Sequence, residues 1–298
     1  MKFGSPAITF VYHLGVHATD EDLLVRSLLK DGNLLQGRNV IVPRPRRYRT
    51  MVREHLQLYR GDPMPDEAQK AFFDALLQGY ACERAVLSDP DYLTMPYNVF
   101  ESQQLYSKAG FRTTWLRYLF PENPCEFFIG LRNPATFLPA LLGLKGVPGY
   151  EALVKKTDPR RMRWPNMLER IQNNNPGCPI TVWSNEDTPL IWPQLLREIT
   201  ATELSFRFQG DNDVLKEIVR PEGLEKLERY LEGRPPQSEL QRRRVIAAFL
   251  DKYAMPEALE AEIDLPGWTG DLVDEVTALY EDDLYTIERM PGVNFISP

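Results

Sequence analysis

The sequence predicts an α/β fold: a central, mostly parallel sheet, helices on both of its faces, and a helical C-terminal extension. Three observations carry this expectation. Short apolar runs recur at Thr9–His13, Ala85–Leu87, Glu126–Leu131 and Pro179–Trp183. Each gives way to a turn and then to apolar residues at helical spacing, the alternation expected of a parallel sheet covered on both faces. Beyond about residue 205 the strand signals fade, and helical patterns separated by Gly and Pro remain.

Taken in order, the chain opens with a strand that includes Phe10–Tyr12, a turn at Gly15 and a helix from Thr19. There Thr19 and Asp22 fit a capping box, a hydroxyl residue followed three positions later by an acid. Val40–Val42 reads as a short additional strand. Helices are expected over 19–31, 47–60, 65–79, 107–119, 134–143, 164–173 and 189–199. Thr188 caps the last of these, with Pro189 at its first helical position. In the C-terminal part, helices are expected over 211–219, 221–232, 237–254 and 269–287. The chain divides into a core, 1–205, and an extension, 206–298, packed on it as one structural domain.

Bulk properties exclude several function classes. A formal charge of −7 over 298 residues lacks the basic footprint that non-specific nucleic-acid binding requires. Cys82, Cys125 and Cys178 are odd in number and far apart in sequence, which points to a reducing compartment and no disulfide framework. With no C-x-x-C or Cys/His cluster, no metal is expected. The apolar run Phe137–Leu144 is too short to span a bilayer. The expectation is a cytoplasmic protein without nucleic-acid or membrane partners.

The segment 15–22 is the most informative. A helix start after a strand offers unpaired N–H groups and the positive end of the helix dipole, a ready site for a phosphate. Here no lysine follows the turn, and Asp20, Glu21 and Asp22 stand where an anion would sit. One unit-charge pair at ~4 Å is worth about 4 kcal/mol at an effective dielectric near 20, here of unfavourable sign. The segment therefore reads either as a well-capped helix start or as a ligand loop using backbone donors. Other cations are available in Arg44, Arg46, Arg47 and Arg49, and in Arg242–Arg244, where a solvated face is the simpler reading. His13 and His17 bracket a strand end rather than share a helix face, so they are not a metal pair; His17, in the loop itself, is the functional candidate. Lys108 is a weaker candidate. Asn185-Glu186-Asp187 follows a strand end, where α/β folds carry ligands, and equally reads as a polar turn.

With the first loop and Leu131-Arg-Asn-Pro134 together, the chain resembles the bacterial sulfotransferase family over roughly residues 7–200. The family's first loop typically reads His-x-Gly-x-His-Lys-Thr-Gly-Thr-Thr. His13, Gly15, His17 and Thr19 match it; Ala18 replaces the lysine, Asp20 the glycine, and Glu21 and Asp22 the hydroxyl residues. Arg132 sits where the family's arginine for the donor's 3′-phosphate belongs, while the partner serine position falls near Ala140. The family's Ser-x-Glu stretch looks like Leu87-Ser-Asp-Pro-Asp-Tyr92, with Pro90 in the glutamate's place and Asp89 and Asp91 beside it. The resemblance implies a three-layer fold of the P-loop NTPase kind. It also implies 3′-phosphoadenosine 5′-phosphosulfate as sulfuryl donor, Gly15, Thr19 and Arg132 as its binding residues, and His17 and Asp89 as catalytic residues acting on an unidentified acceptor. Removing a loop cation costs about 2.7–4 kcal/mol of transition-state stabilisation, judged by one oxyanion donor. The expected function is thus a sulfotransferase-like protein with a degenerate donor site; the alternative is a non-catalytic binding or scaffold protein that keeps the fold. A third option is an enzyme whose less anionic, or cationic, ligand is drawn by the loop acids.

Overall fold

The computed structural model describes residues 7–154, 157–259 and 263–298. Among the described residues six strands form one sheet: β1 (Thr9–His13), β2 (Val40–Ile41), β3 (Arg84–Ser88), β4 (Cys125–Leu131), β5 (Ile180–Ser184) and β6 (Val293–Ile296). Their order is β2-β3-β1-β4-β5-β6, and every neighbouring pair is parallel. The central strands are buried on both sides, which is why they read as continuous apolar runs.

Alternate residues of each strand feed two separate cores. Phe10, Tyr12, Leu87, Phe127 and Ile129 point to one face, where helices Pro45–Tyr59, Asp66–Leu77, Ala109–Leu119, Pro134–Leu142 and Trp164–Asn174 cover them. Val11, Val86, Phe128 and Trp183 point to the other, under helices Leu23–Leu29 and Thr188–Thr200. Burial of one such side chain contributes about 1.5–3 kcal/mol, and the completely enclosed Trp164 and Trp192 anchor one core each.

Three expectations are corrected. The helix predicted over 19–31 runs only from Leu23 to Leu29, and a separate short helix, Gly32–Gln36, follows it. The C-terminal part is not purely helical, because Val293–Ile296 returns as β6 beside β5. The sheet is entirely, rather than mostly, parallel.

Helices Asp213–Ile218, Pro221–Gly233 and Glu239–Tyr253 enclose a small third core of Leu215, Val219, Leu227 and Ile246. A Cβ on Gly223 would lie 2.4 Å from that of Tyr253, so glycine permits this crossing. Arg242, expected on a solvated face, is 4% exposed and near Asp211; only Arg244 of that run is exposed. Asp213 ties the third core to helix Leu23–Leu29 through Lys30 (2.6 Å) and the Ser27 hydroxyl (2.6 Å), and is also held by Lys216 of its own helix (3.1 Å). Helix Gly270–Glu288 crosses to the first face, packs on Pro134–Leu142 and Trp164–Asn174, and delivers β6.

Candidate functional site

β1 lies between β3 and β4 although β2 and β3 follow it in sequence, so the chain reverses its direction of travel across the sheet at β1. Open α/β sheets bind ligands at such a point, outside the carboxyl ends of the strands. The 14–22 loop, the Asp89-Pro90-Asp91 turn, Arg132 and Glu186 all lie at those ends.

The loop is tightly wound. Gly15 has φ +69°, and a Cβ there would approach the Cα of Pro90 to 3.1 Å. Ala18, Glu21 and Asp22 are also left-handed, at φ 56°, 45° and 69°. Some backbone donors in the loop and in the first turn of the helix after it are engaged within the chain. His17 N–H donates to the Tyr106 hydroxyl (3.2 Å), Leu23 N–H to the Asp20 carbonyl (2.7 Å), and Leu24 N–H to the Asp20 carboxylate (3.0 Å). Thr19 does not cap the helix: its hydroxyl donates to the Val16 carbonyl at 2.7 Å. Asp20 performs the cap, and Asp22 pairs with Arg49 through two bonds of 3.0 and 2.5 Å.

On one side of the loop lies an ionic cluster in which His17 and Asp89 are buried and Arg53 reaches solvent. His17, 2% exposed, shares hydrogen bonds through Nδ1 with the Tyr106 hydroxyl (2.8 Å) and through Nε2 with Asp91 (3.3 Å). Asp89 is completely buried; it accepts from Arg53 at 3.1–3.2 Å and from the Asp91 N–H at 3.1 Å. Arg53 also reaches Asp91 at 3.1 Å. Burial holds the Asp89 carboxyl above its ordinary range against the pull of Arg53. Burial acts the same way on Asp91, but the His17 hydrogen bond and the charges of His17, Arg53 and Arg49 outweigh it and hold that carboxyl below its ordinary range. His13, expected to flank the loop, is buried, bonded through Nδ1 to the Ser88 hydroxyl (2.9 Å), and pushed down by burial.

On the other side opens a cleft of about 440 Å³. The loop contributes Ala18, Thr19, Asp20 and Glu21, the strand ends contribute Arg132 and Glu186, and the C-terminal helices close it with Val214, Glu217, Ile218, Ala258 and Leu259. Four carboxylates, Asp20, Glu21, Glu186 and Glu217, face two guanidiniums, Arg26 and Arg132. Arg132 is committed to the loop itself: Nη1 donates to the Ala18 carbonyl and Nε to the Thr136 hydroxyl (3.2 Å). Burial lowers its basicity, with Glu186 and Glu21 opposing. Glu186 is fixed by the Asn133 N–H (2.9 Å), the Ser184 hydroxyl (2.8 Å) and the Tyr280 hydroxyl (2.9 Å).

No protein-family model matches this chain, and no curated protein matches it. What the site can do therefore rests on its own geometry. Gly15, Thr19 and Arg132 meet around the loop, Thr19 and Arg132 on the cleft; His17 and Asp89 meet in the ionic cluster instead. Among the described residues no group of three or more His, Cys, Asp or Glu is placed to hold a metal, and no helix is long and apolar enough to cross a membrane. Of the arginines singled out at 44–49, Arg44, Arg46 and Arg47 are exposed and Arg49 turns inward. Lys108 pairs with Glu101 at 2.9 Å. Sequence reasoning missed Arg53, Tyr106, Arg26 and Glu217. Arg49 and Arg53 carry a usable signal, since their i,i+4 spacing puts both on one helix face; the remaining three are brought in only by tertiary folding.

Proposed function

We propose that this chain is a sulfotransferase-like protein of P-loop architecture that has given up its sulfuryl-donor site and acts as a non-catalytic binding or scaffold protein. The all-parallel sheet, with the loop and Arg132 at its carboxyl ends, is compatible with the architecture the resemblance implies. One observation carries the loss of the donor site. Arg132, the cation placed to meet a donor phosphate, donates instead to the Ala18 carbonyl, and the His17 N–H donates to the Tyr106 hydroxyl. The cleft beside them carries four carboxylates against two guanidiniums. A general base must come within hydrogen-bond reach of the proton it takes, and His17 and Asp89 are enclosed, at 2% and 0% exposure.

Titration calorimetry with adenosine 3′,5′-bisphosphate tests the reading. Affinity in the millimolar range or weaker, a binding free energy no more favourable than about −4 kcal/mol, is expected; micromolar binding overturns it. Ala18→Lys with Asp20→Gly is the companion experiment, since the lysine supplies a charge-assisted contact and the glycine allows close backbone approach. Removing the Asp20 cap costs about 1 kcal/mol, so far-UV dichroism must first establish that the variant is folded. Restored binding that Arg132→Ala then abolishes would mean that only the loop chemistry is lost. Continued silence would mean that the donor site is lost more widely.

A further inference from the structure

Cys125 opens β4, and Cys178 lies two residues before β5. Phe127 pairs with Ile180, an offset of 53 residues, and the same offset carries Cys125 onto Cys178. The two thus face each other across the β4–β5 pair, at the end of the sheet opposite the cleft, with their sulfurs 3.3 Å apart. The turn that carries Cys178 is pinned. Its N–H donates to the Asn175 carbonyl (3.2 Å), Phe127 N–H donates to the Pro179 carbonyl (2.9 Å), and the Thr114 hydroxyl donates to the Asn174 carbonyl (3.2 Å).

A disulfide requires sulfurs at about 2.05 Å and Cα atoms about 4.4–6.8 Å apart. Neighbouring strands stand about 4.8 Å apart. The backbone register therefore already meets the requirement, and the sulfurs have only to close by about 1.2 Å, within the reach of side-chain rotation. We propose that Cys125 and Cys178 form a redox-active dithiol that a peroxide converts to an intramolecular disulfide.

The two cysteines divide the chemistry by position. Cys178 is half-buried and open to an oxidant, whereas Cys125 is buried behind it. The hydrogen bond from the Cys125 thiol brings the Cys178 thiol down to about 7, against burial and with help from the Arg117 charge. The same pairing, together with burial, raises Cys125. The thiolate is the reacting form. The Cys178 sulfur attacks one peroxide oxygen, the O–O bond breaks, and with the proton released a water leaves, giving the sulfenic acid. The Cys125 sulfur then attacks that sulfur, the S–O bond breaks, and the Cys125 proton leaves with the hydroxyl as a second water. Two thiols and one hydrogen peroxide thus give one disulfide and two waters. Cys82 stays outside this chemistry: it donates to the Arg84 carbonyl at 3.3 Å, burial pushes it up to about 11, and it precedes β3, two strands across from β4.

The test uses the full chain, reduced, freed of reductant and treated with hydrogen peroxide. Thiols counted after unfolding should fall from three to one, with a mass lower by two hydrogens and a peptide linking 125 to 178 that dithiothreitol cleaves. Cys82→Ser should form the same link and leave no thiol, and Cys178→Ser should form none. Three thiols remaining after treatment, oxygen added at Cys178 without a link, or a link through Cys82 would each overturn the proposal. If Cys178→Ser does not fold, the peptide map of the unaltered chain decides the matter alone.

Discussion

At the scale of single residues, the loop after β1 holds Ala18 at φ 56°, a conformation that favours glycine. A left-handed Cβ costs roughly 1–2 kcal/mol, and glycine gives back about 0.4–1 kcal/mol through the unfolded chain. Ala18→Gly is therefore expected to raise stability modestly, by up to about 1 kcal/mol, as a higher urea midpoint with unchanged slope; a lower midpoint would contradict the strain. Asp91 makes a prediction in pH. Its folded pKa lies below its unfolded value, so its stabilisation is complete above the unfolded pKa near 4 and is lost as pH falls through the folded one. Asp91→Asn should cost about 1.5–3 kcal/mol at neutral pH, and the gap to the parent protein should narrow in acid. Asp89 works in the opposite sense. Its raised pKa means that the cost of ionising it enters as pH rises from the unfolded value through the folded one. Equal free-energy gaps for Asp91→Asn at neutral and acid pH would show that the His17 and Arg53 contacts do not hold that carboxylate.

At the scale of elements, legibility followed burial. β1, β3, β4 and β5 are covered on both faces and announce themselves as apolar runs. β6 does not, because it is an edge strand of four residues in which Asn294 is exposed and only Ile296 is fully buried. The helix after β1 was placed four residues early. Its start is shaped by left-handed Glu21 and Asp22 and by a cap from Asp20, and neither non-glycine left-handed turns nor the choice among three adjacent acids has a sequence signal. Residues of the candidate site were legible where the loop and strand ends supply them, as with Gly15, Thr19 and Arg132. They were illegible where a distant segment does so, as with Glu217 on a C-terminal helix and Tyr106 in the turn before helix Ala109–Leu119. Helix Gly270–Glu288 offers the element-scale test. Its Tyr280 hydroxyl lies 3.3 Å from the Leu131 carbonyl, 3.1 Å from the Ser184 hydroxyl and 2.9 Å from Glu186, at the ends of β4 and β5. Tyr280→Phe should cost about 0.5–1.5 kcal/mol, the net worth of one hydrogen bond; thermal unfolding checks this, and an unchanged midpoint would mean that this hydroxyl does not help to hold the helix.

For the whole molecule, the C-terminal third is structurally part of the sheet protein, since helix Gly270–Glu288 covers one face and β6 extends the edge. Ile296→Ala, two residues from the chain end and 3% exposed, is expected to cost about 2–5 kcal/mol, the range for truncating a buried isoleucine. A loss below about 0.5 kcal/mol, typical of surface changes, would show that β6 is dispensable. The strand order also bears on how the protein is made. β1 leaves the ribosome before both of its neighbours, β3 and β4, and His13 meets Ser88 across 75 residues of chain. At about 5–20 residues per second, the first partner for β1 arrives roughly 4–15 s later. Through that interval an apolar segment with two open hydrogen-bonding edges is in the cell, which makes the nascent chain, rather than the finished fold, the state most exposed to mispairing and to capture by chaperones.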